Sequence, residues 1–381
     1  MSRTLLPAGC YDLLPPYARA ESELSSALLS VFESYGYEQV APPLLEYSEN
    51  LLAGRGASLS PQTFRVMDPT AHKVMGIRPD ITLQIARIAA SRLAHAPRPL
   101  RLSYNGLILR MQGEQLKSDR QLRQAGIELI GASSPEADAE VILVAAKALQ
   151  KAGISTLSID LNLPGVVASL LKGEKMTGEQ LQTLFEAIAA KDVSSIGTLS
   201  FRYRDTLIRL LQCAGPAAGA LGAIARLDLP ESAKAQLRDL QEVVRILGKT
   251  SEPGWSLTVD IAENRGLDYH SGINFSIFIP GVPCEVGRGG RYVIEGEKQD
   301  MEATGFTLYV ETLRGLLPEP TRSKRVLLAE GISADQATKL QTEGYVTIYA
   351  LPDYGSNADE AKRMGCGWIF ENGKIRMTIT E

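Results

Sequence analysis

The amino-acid sequence predicts an α+β protein with a helical insertion and a small C-terminal α/β unit. Residues 100–111 and 121–130 read as two long strands joined by a polar loop. Residues 164–249 then show successive helical patterns without a strong strand candidate. This stretch indicates a helical insertion at about 164–250 or the helical half of a larger domain.

A proline-rich boundary, Pro318-Glu319-Pro320, divides the sequence into two expected domains, 1–318 and 319–381. Beyond the boundary, strand-like and helical patterns alternate, which is typical of a small α/β domain. The expected strands are 325–330, 345–351 and 368–379, and the expected helices are 333–343 and 357–364.

Periodicity and turn residues place the remaining elements in order. An amphipathic helix is expected from about 17 to 35, because Leu24, Leu28, Val31 and Phe32 recur on one face. The other expected elements are strands at 37–45, 63–67, 73–77 and 155–161, further strands within 255–284, helices at 81–94 and 135–151, a Gly/Arg turn at 287–292, and a strand passing into a helix at 305–317.

Composition indicates a soluble cytoplasmic protein. The 381 residues are 44% hydrophobic and 22% charged, which is ordinary for a globular chain. A net charge of −4 argues against a protein that coats nucleic acid. The four cysteines lie far apart without a CxxC pair, so free thiols are expected and no metal or cofactor. Neither a secretory signal nor a membrane span is predicted.

Three segments carry candidate binding residues. The segment Arg265 to Tyr269 (Arg-Gly-Leu-Asp-Tyr) fixes a cation and an anion at a turn between strands, which suits a zwitterionic ligand or a plain surface ion pair. Asp80 and Thr82 open a predicted helix, where they could accept an α-ammonium or simply cap the helix. Gln124 and Glu128 are four residues apart, so both lie on one face of a strand, either at a ligand or in solvent.

Together these motifs resemble the histidyl-tRNA synthetases and their non-catalytic relatives, the regulatory subunits of ATP phosphoribosyltransferase. Arg265 to Tyr269 is similar to their histidine-recognition segment. Residues 36–46, 100–131 and 305–313 resemble class II motifs 1, 2 and 3 in the correct order. The resemblance runs from Leu6 to about Leu317 and implies a class II aminoacyl-tRNA synthetase-like core, an antiparallel sheet of six or seven strands flanked by helices.

The resemblance also implies a site for free histidine. Arg110 matches the arginine that grips the amino-acid carboxylate and the α-phosphate of ATP, while Gln124 and Glu128 match the residues that hold the ammonium and the imidazole. The implied histidine-binding residues are Asp80, Thr82, Arg110, Gln124, Glu128, Arg265 and Tyr269.

The nucleotide half of the site departs from the synthetase pattern. Thr312 stands where the class-defining arginine stacks on adenine, and a threonine supplies no planar cation there. Gln112 replaces an acidic residue, Val293 replaces an aspartate, and Asp80 stands where synthetases carry glutamate. His270 replaces an aromatic residue of the histidine pocket. Activation of histidine needs both halves of the site, whereas sensing it needs only one.

The resemblance therefore implies a regulatory subunit of short-form ATP phosphoribosyltransferase without catalytic activity of its own. Such a chain would bind the catalytic subunit, take part in the first step of histidine biosynthesis and confer feedback inhibition by histidine. It would also pair with itself through the motif 1 region. One alternative is a histidyl-tRNA synthetase, against which Thr312, Asp80 and the C-terminal domain argue, since residues 319–381 look like a shortened anticodon-binding domain. The other is a tRNA-binding paralogue, against which the acidic balance and the modest charge of residues 113–123 argue.

Overall fold

The structure is a computed structural model, and it describes residues 5–113, 118–250, 254–262, 272–295, 300–319, 323–351 and 355–378. Contacts within the chain define two compact units. The larger one extends to Leu317, and the smaller one begins at Pro318 and also includes residues 15–17.

Nine strands among the described residues form the main sheet of the larger unit, in the order β1-β5-β6-β12-β11-β10-β7-β9-β8. Each adjacent pair within the six strands from β5 to β7 in this order is antiparallel, whereas β1 pairs in parallel with β5 and β9 pairs in parallel with β7. The strands are β1 (Glu38–Gln39), β5 (Leu100–Leu109), β6 (Gln121–Ile130), β7 (Leu157–Asn162), β8 (Gly215–Pro216), β9 (Trp255–Val259), β10 (Asn274–Phe278), β11 (Gly287–Ile294) and β12 (Met301–Tyr309).

Helices cover one face of this sheet. On β6, Ala125, Ile127 and Leu129 point into the main hydrophobic core, which Leu28 and Phe32 of the first helix share. Because side chains alternate along a strand, Gln124 and Glu128 lie on the opposite face. The helices of the larger unit are α1 (Tyr17–Ser34), α2 (Ser48–Leu51), α3 (Thr82–Ala90), α4 (Pro135–Lys151), α5 (Pro164–Leu171), α6 (Gly178–Ala189), α7 (Val193–Thr198), α8 (Arg204–Gln212), α9 (Ala217–Ile224), α10 (Glu231–Leu247) and α11 (Val310–Arg314), with 3₁₀ turns at Gly54–Gln62 and Gly248–Thr250.

The expected strand at 37–45 is broken by its prolines. Only β1 pairs with the main sheet, and the chain resumes pairing at β2 (Leu45–Tyr47). Proline has no N–H to donate to a ladder, and the carbonyls of Pro42 and Pro43 instead accept hydrogen bonds from Arg78 Nη1 and Gln84 Nε2. β2, β3 (Arg65–Met67) and β4 (Val74–Ile77) form a separate antiparallel sheet in the order β2-β4-β3.

The predicted turn at 287–292 is wrong, because these residues form most of the interior strand β11. Their glycines are required by close packing between strands rather than by a turn. A Cβ atom at Gly289 would overlap the carbonyl oxygen of Gly305 and the ring of Phe275. Glycine inside a strand marks such close approaches of neighbouring atoms.

The smaller unit is a four-stranded sheet between two helices. Along β13, Val326 and Leu328 pack toward α12, while Leu327 packs toward α13, so both faces are covered. Its elements are β13 (Arg325–Leu328), α12 (Ala334–Thr342), β14 (Val346–Tyr349), α13 (Asn357–Arg363), β15 (Trp368–Glu371) and β16 (Lys374–Met377), with strand order β14-β13-β15-β16.

The single strand expected at 368–379 is a hairpin. β15 and β16 are antiparallel and are joined by Asn372 and Gly373, which have φ angles of 50° and 74°. Positive φ at both loop residues is what a two-residue hairpin turn requires, and Asn-Gly is the dipeptide that provides it. The expected strand therefore ends at this turn.

Candidate functional site

The candidate site lies where the start of α3 meets the polar face of β6. Gln124 Nε2 donates to Asp80 Oδ2 at 2.8 Å, and Gln124 Oε1 accepts from the backbone N–H of Ile81 at 3.0 Å. Asp80 Oδ1 accepts from the backbone N–H of Thr82 at 2.9 Å. Asp80 therefore satisfies a free N–H at the helix start, as the capping alternative predicted, and is fixed by Gln124 at the same time.

Glu128 lies beside this pair in a buried, hydroxyl-rich environment. Its side chain is 1% exposed, its Oε2 accepts from the Tyr292 hydroxyl at 2.8 Å, and its Oε1 lies 3.4 Å from the Tyr104 hydroxyl. The Thr82 hydroxyl also bonds the carboxyl group. The structure therefore brings together Asp80, Thr82, Gln124 and Glu128.

Burial raises the pKa of Glu128 to about 8, since charging a carboxylate away from water is unfavourable. The hydroxyl bonds oppose this rise in pKa, and the nearby Asp80 carboxylate adds to it. A carboxylate in these surroundings gains most from a positively charged or N–H-bearing partner that enters the site.

Two glycines make room for these side chains. A Cβ atom at Gly305 would overlap Glu128 Oε2, and a Cβ atom at Gly126 would contact the Tyr104 ring at 2.7 Å or less. The carboxylate of Glu128 therefore lies over the backbone of β12. The Tyr104 hydroxyl reaches Thr307 Oγ1 at 2.6 Å on that strand.

Glu128 should make the stability of the free chain depend on pH. Its pKa is raised in the folded state, so the folded chain keeps a proton on this carboxyl at pH values where the unfolded chain has lost it. The unfolded chain loses the proton above the ordinary pKa near 4.5. This contribution is fully present below about pH 4.5 and is lost as pH rises through about 8. We expect Glu128→Gln to be about as stable as the wild type at pH 5 and more stable at pH 9, by on the order of 5 kcal/mol for a pKa rise from 4.5 to about 8 at about 1.4 kcal/mol per pKa unit. Urea unfolding at both pH values measures this, and equal stability of the two proteins at pH 9 would contradict it.

Arg110 lies at the same end of α3. Arg110 is 5% exposed, and its Nε is 3.4 Å from the carbonyl oxygen of Pro79, next to Asp80. Arg265 and Tyr269, the two other predicted site residues, fall outside the described residues, as does His270. Tyr104, Tyr292 and Thr307 belong to the site but were not predicted as site residues. The signal for Tyr292 was its position in the Gly-Gly-Arg-Tyr segment, two residues after Gly290 on the same face of a strand.

Arg314 does not substitute for the motif 3 arginine whose position is occupied by Thr312. It lies 3.9 Å from Glu21 Oε2 of α1, and Glu21 also pairs with Arg123 at 2.9 Å. Arg123 precedes Gln124, so its side chain points to the helix-covered face of the sheet. Arg314 is therefore engaged on the face away from Glu128.

Comparison with known proteins shows the family of this chain. A protein-family model described as histidyl-tRNA synthetase matches residues 9–313. An ATP phosphoribosyltransferase regulatory subunit from Rhodospirillum centenum is 42% identical over 375 residues, covering 98% of this chain and 96% of that protein. Another, from Paramagnetospirillum magneticum, is 43% identical over 365 residues, covering 96% and 95%. This chain belongs to the family of ATP phosphoribosyltransferase regulatory subunits.

Solved structures show the same fold. The structure of an ATP phosphoribosyltransferase regulatory subunit/histidyl-tRNA synthetase from Bacillus halodurans matches with a TM-score of 0.84 at 23% identity, covering 95% of this chain and 97% of that one. Histidyl-tRNA synthetase from Nostoc sp. PCC 7120 matches with a TM-score of 0.76 at 18% identity, covering 96% and 90%. The class II synthetase-like fold of the regulatory-subunit family is thereby confirmed for this chain.

The described part of the chain lacks two kinds of feature. None of the helices in this part of the chain is long and apolar enough to cross a membrane. The same residues contain no group of three or more His, Cys, Asp or Glu side chains that could hold a metal ion.

Proposed function

We propose that this chain is a non-catalytic regulatory subunit that binds the catalytic subunit of a short-form ATP phosphoribosyltransferase and makes it sensitive to histidine. The reaction is the first step of histidine biosynthesis. The observation that carries the proposal is the cluster of Asp80 with the buried side chains of Thr82, Gln124 and Glu128, built around α3 and β6, in a chain that has Thr312 in motif 3. The amino-acid half of a histidine site is retained without the adenine-binding arginine.

The chemistry of the retained half suits free histidine. Glu128 offers a desolvated carboxyl to an ammonium or an imidazole N–H, and Thr82 and Gln124 add neutral polar groups. Arg110, close to Pro79, supplies a cation for the ligand carboxylate, a role that Arg265 could share. Asp80 positions Gln124 and the start of α3.

We expect no activation of histidine by this chain, because Thr312 supplies no cation over adenine and Arg314 is paired on the other face. ATP–pyrophosphate exchange with histidine measures this directly. Exchange at the rate of an ordinary synthetase would contradict the regulatory proposal and favour the second candidate, a histidyl-tRNA synthetase, which the fold alone also allows.

We also expect the chain to form at least a dimer through the motif 1 region. The small sheet that follows motif 1 exposes apolar side chains, at 42% for Leu45, 47% for Val66, 58% for Met67 and 41% for Val74. Met67 and Val74 are direct partners in the pairing of β3 with β4, so they share one face of this sheet, and exposed apolar surface shared in this way is typical of a protein interface. Light scattering should give at least twice the chain mass of 41.3 kDa.

The variant Met67→Lys should shift that mass toward the monomer, because it places a charge in the expected interface. Met377→Lys is the matched control, since Met377 is 71% exposed but lies in the smaller unit. A wild-type chain that is monomeric at micromolar concentration would contradict self-association.

Co-expression with a catalytic subunit of ATP phosphoribosyltransferase tests the partnership itself. We expect the two chains to co-purify through affinity capture and size exclusion as one complex. Separate elution of the two chains, each at its own mass, would contradict the proposed assembly.

A further inference from the structure

A single row of residues crosses the polar face of the sheet, starting from Glu128. The residue opposite Glu128 on β12 is Gly305, and the next positions are Gly290 on β11, Asn274 on β10 and Asn162 on β7. Directly opposed residues of neighbouring antiparallel strands share a face. Glu128 and the two asparagines therefore lie on the same face, with two glycines between them.

The far end of this row is polar, buried and unsatisfied. Asn274 and Asn162 are each 4% exposed. Among the described residues, Asn274 Oδ1, Asn274 Nδ2 and Asn162 Oδ1 have no hydrogen-bond partner. Asp260, just beyond the end of β9, is also buried and has a free Oδ1, while its Oδ2 pairs with Lys191 at 2.5 Å. Buried amides without partners cost free energy, so this cluster needs a polar occupant.

The distance between the two ends fits one small ring. The Glu128 carboxylate lies over Gly305, because a Cβ atom there would overlap Glu128 Oε2. From β12 to β10 there are two strand spacings, roughly 9–10 Å. Two hydrogen bonds of about 3 Å each, together with a flat five-membered ring between them, match this spacing.

We infer that Asn274 recognises the imidazole nitrogen that faces away from Glu128, with Asn162 and Asp260 forming the polar wall behind it. The inference rests on the proposed function and makes Asn274 a specificity-determining residue for histidine. A carboxamide can donate to an unprotonated ring nitrogen or accept from a protonated one, so it suits either neutral tautomer. Residues such as Val or Leu at position 274 would leave that nitrogen without a partner.

Calorimetric titration of Asn274→Leu with histidine, in complex with the catalytic subunit, tests the inference. Leucine keeps the approximate shape and removes both polar atoms. We expect histidine affinity to fall about tenfold, the size of one lost hydrogen bond. The preference for histidine over 3-(2-thienyl)alanine, which lacks ring N–H groups, should shrink by the same factor. Thermal stability of the free variant should be unchanged or higher, because unsatisfied buried atoms are removed.

Two further variants complete the test. Asn274→Ala introduces a smaller side chain that fits the backbone of β10. It should show the same loss of affinity if the leucine variant does not fold. Ser276→Ala is the matched control, because Ser276 lies on the same strand face but its Oγ already donates to Glu285 Oε2 at 3.0 Å. If the wild type binds histidine and both Asn274 variants bind it equally well, the inference about Asn274 is overturned while the proposed function stands. The unpaired amides would then be hydrogen-bonded to buried water. A wild-type complex that does not bind histidine would overturn the proposed function and this inference with it.

Discussion

Glu128→Gln is expected to lower the affinity of the complex for histidine about ten- to a hundredfold. A carboxylate facing an ammonium or an imidazole N–H in a buried site forms a charge-assisted hydrogen bond, whose removal costs about 1.5 to 3 kcal/mol. At about 1.4 kcal/mol per decade, this loss corresponds to the expected range. Glutamine keeps an oxygen for the Tyr292 hydroxyl, which bonds Glu128 at 2.8 Å, so the fold should survive.

Calorimetric titration with histidine in the presence of the catalytic subunit measures the effect. Glu33→Gln makes the same chemical change on the exposed surface of α1 and should leave affinity unchanged. Equal binding by wild type and Glu128→Gln would mean that histidine acts elsewhere and that the buried carboxyl group of Glu128 does not bind it.

Gly305→Ala should strongly destabilise the chain. The added Cβ atom would overlap Glu128 Oε2 and approach the backbone carbonyl oxygen of Ile127 at 2.5 Å. The backbone of an interior strand cannot move aside without breaking its ladder to β6 and β11. Inserting atoms into a packed interior costs about 1–3 kcal/mol, and we expect a loss of about 3 kcal/mol in the free energy of unfolding.

Urea unfolding of Gly305→Ala and Gly222→Ala gives the comparison. Gly222 lies inside α9, and a Cβ atom there would meet nothing within 4 Å. Alanine is the better helix former, so Gly222→Ala should stabilise by about 0.5–1 kcal/mol. A Gly305→Ala protein as stable as the wild type would show that the Glu128 side chain does not lie over β12.

Local patterns predicted the long elements well. Helix α4 has the bounds expected for it, Pro135–Lys151, and β5 and β6 lie within one or two residues of theirs. These elements have clear periodicity and end at turn residues or prolines. The turn expected at 287–292 failed because glycine also serves close packing between distant strands, which a local pattern does not reveal. The Asn372–Gly373 turn carried a strong local signal and could have been found.

The site was predicted less completely than the fold. The spacing of Gln124 and Glu128 correctly indicated a shared strand face. Their neighbours could not be found in this way, since Tyr104 depends on the register of β5 against β6, and Tyr292 lies on β11, which is separated from β6 by β12. The cross-strand row that leads to Asn274 likewise depends on the registers of three strand pairs.

The most direct test is phosphoribosyl transfer by the catalytic subunit, assayed alone, with the wild-type chain and with Glu128→Gln, across a range of histidine concentrations. We predict that the wild-type chain raises the activity and makes it sensitive to histidine. The variant should raise the activity equally but require about ten- to a hundredfold more histidine for the same inhibition. The proposed regulatory role of this site would be contradicted by either of two results. The catalytic subunit could have the same activity with and without the chain, or histidine could inhibit equally with the wild type and with Glu128→Gln.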